Sequence, residues 1–216
     1  MTLNPTTRFC KICFKEIKID DMSRILDKDI CICSKCQSEL EPKFTRFKIN
    51  GYKATAIYDY SSFIKNLVYL YKGCFDYELN EVFLNLFFKE IKLKYKGYKI
   101  IPIPSYIKDD EQRGFNHVVE AFKSLGLESL QIITKTAHHK QADRGFAERH
   151  EINKYLVLNS NVSLEKQRVL IVDDIYTTGS TMRAVINLVE KLNPKEIRVL
   201  VLAKTRDKDY RKSLLK

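Results

Sequence analysis

Two adjacent carboxylates followed by a cluster of hydroxyls form the part of this chain that is best equipped for chemistry. Asp173 and Asp174 come directly after the branched apolar run 169–172, and the hydroxyl-rich turn 177–181 follows two residues later. The apolar run predicts a strand that is buried on both faces, and the apolar spacing over residues 182–192 predicts a helix. A helix N-terminus after such a turn favours anions, because its first N–H groups have no partner within the helix.

Both halves of this stretch suit a single ligand. Gly179 lets the backbone approach a ligand closely or adopt a positive φ, and the hydroxyls around it can donate to phosphate oxygens. The two carboxylates can accept hydrogen bonds from a vicinal diol or help to hold a metal ion. A sugar that carries a phosphate beside a ribose diol would satisfy both halves. The sequence contains no GxxxxGK[ST] motif, so a P-loop is not expected.

Five of the six cysteines fall within the first 36 residues. Without an export signal, that crowding favours a metal site over disulfides. Two CxxC pairs, Cys10 with Cys13 and Cys33 with Cys36, have the spacing expected of a structural zinc site with four thiolate ligands. Cys31 is an alternative ligand to Cys33, although the CxxC turn favours Cys33. Reduced or redox-active cysteines without a metal are the other interpretation.

The length of 216 residues fits one medium domain with an appendage. We expect a zinc-binding module and linker over residues 1–50, the linker at 38–48, and a larger domain over residues 51–216. Strands and helices alternate from residue 52 onward, which predicts an α/β fold with a mainly parallel sheet and helices on both faces. Strands are expected at 52–58, 99–104 and 196–203, and a third strand in chain order is expected to end at 132–133. Helices are expected at 60–71, 79–93 and 118–125.

The chain is strongly basic, with a formal charge of +11 and a pI of about 9.3. This surplus favours polyanionic partners and leaves nucleic-acid binding open. No apolar run is long enough to span a membrane, and the first residues lack the apolar core of a signal peptide. We therefore expect a cytoplasmic protein, and peripheral contact with a membrane is the alternative.

The sequence DDIYTTGST at 173–181 resembles the signature of the type I phosphoribosyltransferases, which bind 5-phosphoribosyl-1-pyrophosphate (PRPP). The resemblance implies that Asp173 and Asp174 hold the ribose hydroxyls and that Mg²⁺ bridges pyrophosphate and ribose oxygens. It also implies a 5-phosphate site made of Thr177, Thr178, Gly179, Ser180 and Thr181. By position in the family order, Ser105 and Tyr106 would present N–H groups to the pyrophosphate. The alternative is that Pro104 simply ends a strand.

The motif RGFN at 113–116 enters a predicted helix, after the double CxxC and ahead of DDIYTTGST. This order resembles the ComF family of competence proteins (the ComFC/GntX group) over essentially the whole chain. Lys135, Gln141, Arg149 and Asn153 also match that family's pattern, whereas Gln112 and His117 depart from it. The resemblance implies a role in natural transformation, helping to move incoming single-stranded DNA across the inner membrane. A competence helicase and an inner-membrane DNA channel are its expected partners.

Further cations are candidates for contact with nucleic acid or other anions. These residues are Arg113, Lys140, Arg144 and Arg149. The polar segment 138–152 predicts a mobile loop that covers the site. Its histidines, at 138, 139 and 150, have no carboxylate or thiolate cluster beside them, which favours solvated or anion-facing roles over a metal site.

Three functions remain open at this stage. The first is a PRPP-binding accessory factor for transformation. The second is an active phosphoribosyltransferase that displaces pyrophosphate at the anomeric carbon with an unknown nitrogen acceptor. The third is a structural zinc adaptor with a vestigial pocket. The sequence offers no separated pair of carboxylates for general acid–base work, so the residues that would carry catalysis are unknown.

Overall fold

A computed structural model of the chain describes residues 8–17, 30–136, 155–158 and 162–205. The predicted loop 138–152 and its histidines lie outside the described residues. So do the predicted anion contacts Lys140, Arg144 and Arg149, together with Gln141, Asn153 and the last residues of the chain.

The architecture is a five-stranded sheet with a separate small sheet beside it. The large sheet contains β1 (Thr45–Ile49), β2 (Tyr52–Asp59), β3 (Tyr98–Pro102), β6 (Arg168–Tyr176) and β7 (Glu196–Lys204). Its order is β1-β2-β7-β6-β3, in which β1 is antiparallel to β2 and every other pair is parallel. The small sheet pairs β4 (Ile133–Lys135) with β5 (Leu156–Leu158) in antiparallel fashion.

Six α-helices accompany these strands in the described part of the chain. They are α1 (Ser34–Glu39), α2 (Ser62–Gly73), α3 (Phe88–Lys94), α4 (Ile107–Arg113), α5 (His117–Phe122) and α6 (Ser180–Glu190). Short 3₁₀ turns cover Tyr77–Glu81 and Lys123–Leu125. Side chains cap the N-termini of two helices. The hydroxyl of Ser61, which precedes α2, accepts from the Ile64 N–H, and the amide oxygen of Asn116, which precedes α5, accepts from the Val118 and Val119 N–H groups.

Strand β6 shows why the sheet carries helices on both faces. Leu170 and Val172 belong to one buried cluster, which also contains residues of α2 and α5. Val169 and Ile171 belong to a second cluster, which contains the apolar face of α6. Because alternate strand residues point to opposite faces, the continuous apolar run of β6 requires cover on both. The predicted mainly parallel, helix-flanked sheet is confirmed.

We expected the acidic pair to follow the end of a strand, but both residues lie inside β6. Pairing with β3 stops at Pro102 and Val172, whereas pairing with β7 continues to Tyr176 and Lys204. One flank of β6 is therefore open beyond Val172. The backbone at Asp173 and Asp174 is held by β7, while this open side faces the loop that follows β3.

The predicted linker at 38–48 was wrong, because its second half enters β1. Asn50 and Gly51 both adopt positive φ between β1 and β2, the geometry that two-residue hairpins require. The strand expected at 52–58 is β2, which lies between β1 and β7 as the second strand of the sheet. The proposed domain boundary at residue 50 falls within this hairpin, and we now propose it ahead of β1.

Other corrections concern the middle of the chain. The helix expected over 79–93 is interrupted, because Val82, Phe83 and Leu84 are all buried and cannot share one helical stripe. Helix α4 was not predicted. Residues 132–133 do not end a third strand, because β4 begins at Ile133 and belongs to the small sheet.

The cysteine-rich segment packs against the main domain. Buried residues of this segment, among them Cys10, Ile32 and Leu40, belong to the same apolar cluster as Leu79 and Phe83. Lys11 adds ion pairs from this segment to the carboxylates of the first 3₁₀ turn, at 2.8 and 2.7 Å. Within the described residues, no helix has both the length and the apolar character needed to cross a membrane.

Candidate functional site

A cavity of about 190 Å³ lies where the open flank of β6 meets the loop after β3. It is at the carboxyl ends of these parallel strands, where α/β sheets usually bind ligands. Residues predicted from the sequence line much of its wall: Ser105, Tyr106, Arg113, Asp173, Asp174 and Thr181. The structure thus brings together residues from four separate parts of the sequence.

Asp174 is the most heavily engaged group in the cavity. Its Oδ2 accepts from Nζ of Lys72 at 2.9 Å and from Nε2 of His117 at 3.1 Å, and its Oδ1 accepts from the Ile175 N–H. Burial by itself raises the pKa of the Asp174 carboxyl, but the Lys72 ammonium and the His117 hydrogen bond overcome this and hold that pKa well below its ordinary value. Asp174 is therefore a carboxylate at neutral pH.

Asp173 has the opposite electrostatic environment. Burial raises the pKa of its carboxyl well above the ordinary value, and the neighbouring Asp174 carboxylate raises it further. The Lys72 charge acts in the opposite sense without reversing the shift. The side chain keeps part of its surface open to the cavity, and its Oδ1 accepts from the Asp174 N–H at 2.9 Å. Asp173 is the member of the pair whose charge a cationic ligand or a ribose hydroxyl would stabilise.

The hydrogen bonds around His117 define one tautomer of its ring. Nε2 donates to Asp174, so Nδ1 accepts from the guanidinium of Arg113 at 3.2 Å. Burial lowers the pKa of His117, and the favourable effect of Asp174 does not reverse this. The ring is therefore neutral at pH 7, and it positions the Asp174 carboxylate without adding charge.

Arg113 is held by the structure and does not project into solvent. Its side chain is 5% exposed and donates to Oδ1 of Asp110 at 2.8 Å and to the Lys72 carbonyl at 3.2 Å. Asp110 also accepts from the Ser105 hydroxyl and from the Asn116 amide, which ties the loop after β3 to the start of α5. These contacts fix the predicted pyrophosphate loop against the RGFN segment.

The hydroxyl turn forms the second half of the site. Gly179 has φ of 73° and precedes α6, whose first turn has no side-chain cap and no acidic residue. A Cβ on Gly179 would lie 2.5 Å from the ring of Tyr176, so glycine is required both by the backbone and by this contact. Hydroxyls of Thr178 and Ser180 lie 2.9 Å apart beside the uncapped helix N-terminus. A second cavity of about 50 Å³ joins this turn to Asp173.

Four cysteines form a compact cluster at the N-terminal end of the chain. The sulfurs of Cys10, Cys13, Cys33 and Cys36 lie within 4.8 Å of one another, and those of Cys13 and Cys33 are 3.7 Å apart. Thiolates around zinc at about 2.3 Å would be spaced by about 3.8 Å, so the donor set fits a tetrahedral ion. Cys31 lies outside the cluster, and burial raises the pKa of its thiol to about 12. The geometry therefore favours Cys33 over Cys31.

Sequence reasoning missed three residues of the cavity wall. Lys72 lies in the last turn of α2, and its ammonium reaches Asp174 across 102 positions of sequence. His117 was noted as a departure from a family pattern and not as a partner of the acidic pair. Lys135 was noted as part of that pattern, and β4 brings it to the cavity. Nothing in the local spacing could have revealed these contacts.

Comparison with known proteins connects these features to a family. The family model described as Phosphoribosyl transferase domain matches residues 112–214, which include α5, β6, the acidic pair, the hydroxyl turn and α6. The match therefore covers the residues that form most of the cavity.

The similar curated proteins include three that are named for competence. Competence protein ComFC of Streptococcus pneumoniae is 26% identical, over 90% of this chain and 99% of its own length. Competence protein ComFC of Bacillus subtilis is 27% identical over 59% and 53%, and Competence protein F of Haemophilus influenzae is 31% identical over 49% of each chain. The chain is thus similar to a competence protein ComFC along almost its whole length, and its match to the phosphoribosyltransferase domain follows an N-terminal four-cysteine cluster.

Proposed function

We propose that this protein binds PRPP with Mg²⁺ at the corner between β3, β6 and α6, and that it acts in natural transformation. The observation that carries the proposal is the convergence of an acidic pair, an uncapped helix N-terminus and several cations around adjoining cavities. Each group matches a different part of one ligand, because PRPP combines a diol, a 5-phosphate and a pyrophosphate.

The 5-phosphate would lie against the first turn of α6. The N–H groups there, together with the hydroxyls of Thr178 and Ser180, offer several donors within a single turn. The ribose diol would donate to Asp173 and Asp174, whose carboxylates adjoin that turn. The pyrophosphate would face the cations of the larger cavity, Lys72 and Lys135, beside the loop at Ser105.

The acidic pair fits a Mg²⁺ ion that is held jointly with the ligand. Both oxygens of Asp174 and one of Asp173 already accept hydrogen bonds, so the second oxygen of Asp173 is the protein ligand we assign to the ion. Mg²⁺ often binds through one or two carboxylates and substrate phosphates, while it keeps several waters. When bound, the ion would offset the negative charge of the pyrophosphate.

Titration calorimetry with PRPP and Mg²⁺ tests this proposal. The wild type should bind, and the double variant Asp173→Ala, Asp174→Ala should lose detectable binding. A matched control replaces two exposed acids outside the cavity, Glu90→Gln and Glu165→Gln, and removes the same formal charge. Absence of binding by the wild type, or equal binding by all three proteins, would contradict the proposal.

The relatives and the phosphoribosyltransferase domain support a role in competence. We infer in addition that the protein handles incoming single-stranded DNA at the cytoplasmic face of the inner membrane, with a helicase and a DNA channel as partners. The charge of +11 supports contact with DNA phosphates. Binding of single-stranded DNA should weaken as salt rises, and a protein that binds none at low salt would exclude the inference.

Another cavity, of about 530 Å³, favours an alternative function, the transfer of phosphoribose to a nitrogen acceptor. It adjoins the larger cavity of the proposed PRPP site and shares Pro104, Ser105 and Lys135 with it. It has room for a small acceptor beside the pyrophosphate loop. Release of pyrophosphate from PRPP in the presence of nucleobases and amines would establish transfer, and its absence across a broad panel would leave binding alone.

A further inference from the structure

Five basic residues surround a cavity of about 530 Å³ on the large sheet, well apart in sequence from the acidic pair. The cations that line it are Arg46, Lys48, Lys53, Lys94 and Arg198. None of the described residues on this cavity's wall is acidic. We call this group the basic row.

The register of the sheet explains how these cations come together. Lys48 of β1 is opposite Lys53 of β2, and Lys53 is opposite Arg198 of β7. Partners that are opposite in a ladder share one face, so three cations form a line across three strands. Arg46 lies one step further along the same face, opposite Thr55. Lys94 reaches the cavity from the end of α3.

The row is at the opposite end of the strands from the proposed PRPP site. Lys53 and Arg198 are near the amino ends of β2 and β7, whereas the acidic pair lies toward the carboxyl end of β6. A ligand on the row would therefore not compete for the groups that hold PRPP.

The charges of the row are poorly compensated within the described part of the protein. Arg198 donates to Glu196 at 2.7 Å, but the other four cations form no ion pair with any described residue. Burial lowers the pKa of Lys94, and the charges of Arg46 and Arg198 lower it further. Like charges placed opposite one another destabilise a sheet. A bound anion would remove that cost.

Protection of the sheet edge does not account for the row. Lysines on an edge strand prevent unwanted pairing with other chains, which would explain Arg46 and Lys48 on β1. Lys53 and Arg198 belong to the second and third strands, and Lys94 belongs to a helix. Their convergence on one concave surface needs a different explanation.

We propose that the basic row binds the phosphate backbone of single-stranded nucleic acid. The inference rests on the proposed handling of DNA and gives it a surface separate from the PRPP site. Three adjacent strands span about 10 Å between the outer two, so the row suits a chain of phosphates better than a single one. The aromatic residues at the cavity are unsuited to base stacking: Tyr95 is 2% exposed, and Phe47 packs on Tyr176. Binding should therefore be insensitive to base sequence.

The test measures binding of a labelled oligothymidine to the full chain by fluorescence anisotropy over a range of salt concentrations. The triple variant Arg46→Gln, Lys48→Gln, Lys53→Gln removes exposed cations on the hairpin and leaves the buried core intact. Each phosphate contact with a single strand contributes about 0.7 to the slope of log K against log salt, so the slope should fall by about 2. If counterion release accounts for the whole effect, the affinity at about 0.1 M salt should fall by about 100-fold.

A control variant removes three exposed lysines elsewhere, Lys65→Gln, Lys89→Gln and Lys191→Gln, for the same change in net charge. It should retain most of the wild-type slope, and oligodeoxyadenosine should bind the wild type as well as oligothymidine does. Equal losses in the two triple variants, or wild-type affinity in the basic-row variant, would overturn the inference.

Two further readouts separate this inference from the proposed function. The basic-row variant should bind PRPP like the wild type in calorimetry. Failure of the wild type to bind PRPP would contradict the PRPP site and leave the row unaffected, whereas failure to bind any single strand would overturn the row. If the basic-row variant keeps its affinity for DNA but no longer binds polyglutamate, the row would be assigned to an acidic protein partner, and the inference would be overturned.

Discussion

The two neighbouring aspartates should respond to the same substitution with opposite changes in stability. Asp174→Asn removes the carboxylate that neutralises Lys72, and the new amide N–H groups would face the donors of Lys72 and His117. Asp173→Asn removes a carboxyl whose ionisation burial and the neighbouring charge both disfavour. Its amide oxygen can still accept from the backbone N–H at Asp174. We expect the first variant to be less stable than the wild type and the second to be more stable.

The exposure of the ion pair sets the size of the first effect. Asp174 is 9% exposed, but the Lys72 side chain is 44% exposed, so solvent screens part of their interaction. Exposed pairs contribute less than about 1 kcal/mol, and breaking a buried pair costs about 3–5 kcal/mol. We therefore expect a loss of about 2 kcal/mol, which lowers Tm by about 4–8 °C in a chain of this length.

Relief of the like-charge contact sets the size of the second effect. A folded-state pKa above the unfolded value means that stability is lost as pH rises through that range. An asparagine at 173 does not ionise, so a gain of the order of 1 kcal/mol and about 2–4 °C is expected near neutral pH.

Differential scanning calorimetry at pH 7.5 and low salt would measure both changes, with Glu165→Gln as an exposed control that should stay close to the wild type. PRPP binding, measured separately, should weaken in both aspartate variants. Shifts of the same sign at 173 and 174 would refute the assignment of one ion-paired and one electrostatically strained carboxyl.

Three other predictions concern pH, the hydroxyl turn and the metal. Because the folded-state pKa of His117 is lowered, its contribution to stability should be lost as pH falls below about 6.5. In denaturant unfolding, His117→Gln should reduce the slope of the unfolding free energy against pH by up to about 1.4 kcal/mol per pH unit relative to the wild type. Gly179→Ala should lower Tm and PRPP affinity more than Gly114→Ala, because Gly114 also has a positive φ but has open space around it. Equal effects would argue against the ring contact. Chelation should release about one zinc per chain. Cys10→Ser should reduce the bound metal, whereas Cys31→Ser should not, as elemental analysis would show.

Local patterns predicted the elements that carry the acidic pair and the hydroxyl turn. The run at 169–172 is buried on both faces as its composition indicated, and Gly179 precedes a helix as expected. Both features depend on residues adjacent in sequence, where periodicity and turn chemistry are informative. The double CxxC was informative for the same reason, because each pair is a local turn.

Long-range contacts explain what the sequence did not reveal. The partners of Asp174 come from α2 and α5, and only packing of both helices on one face of the sheet brings Lys72 and His117 together. The hairpin at Asn50 and Gly51 had a local signal, an Asn-Gly pair between two short runs, but the basic residues around it were read as a linker. The basic row escaped notice because strand register and the position of α3, not sequence spacing, bring its members together.

The shared core between the cysteine-rich segment and the helices bears on how deletion experiments are interpreted. Removing residues 1–50 would take away β1 together with the four-cysteine cluster, and would uncover apolar side chains such as Leu79 and Phe83. The unpaired backbone of β2 would then be a template for association with other chains. A truncated protein that fails to support transformation would therefore report first on misfolding and aggregation, and point substitutions are the appropriate genetic tool for this segment.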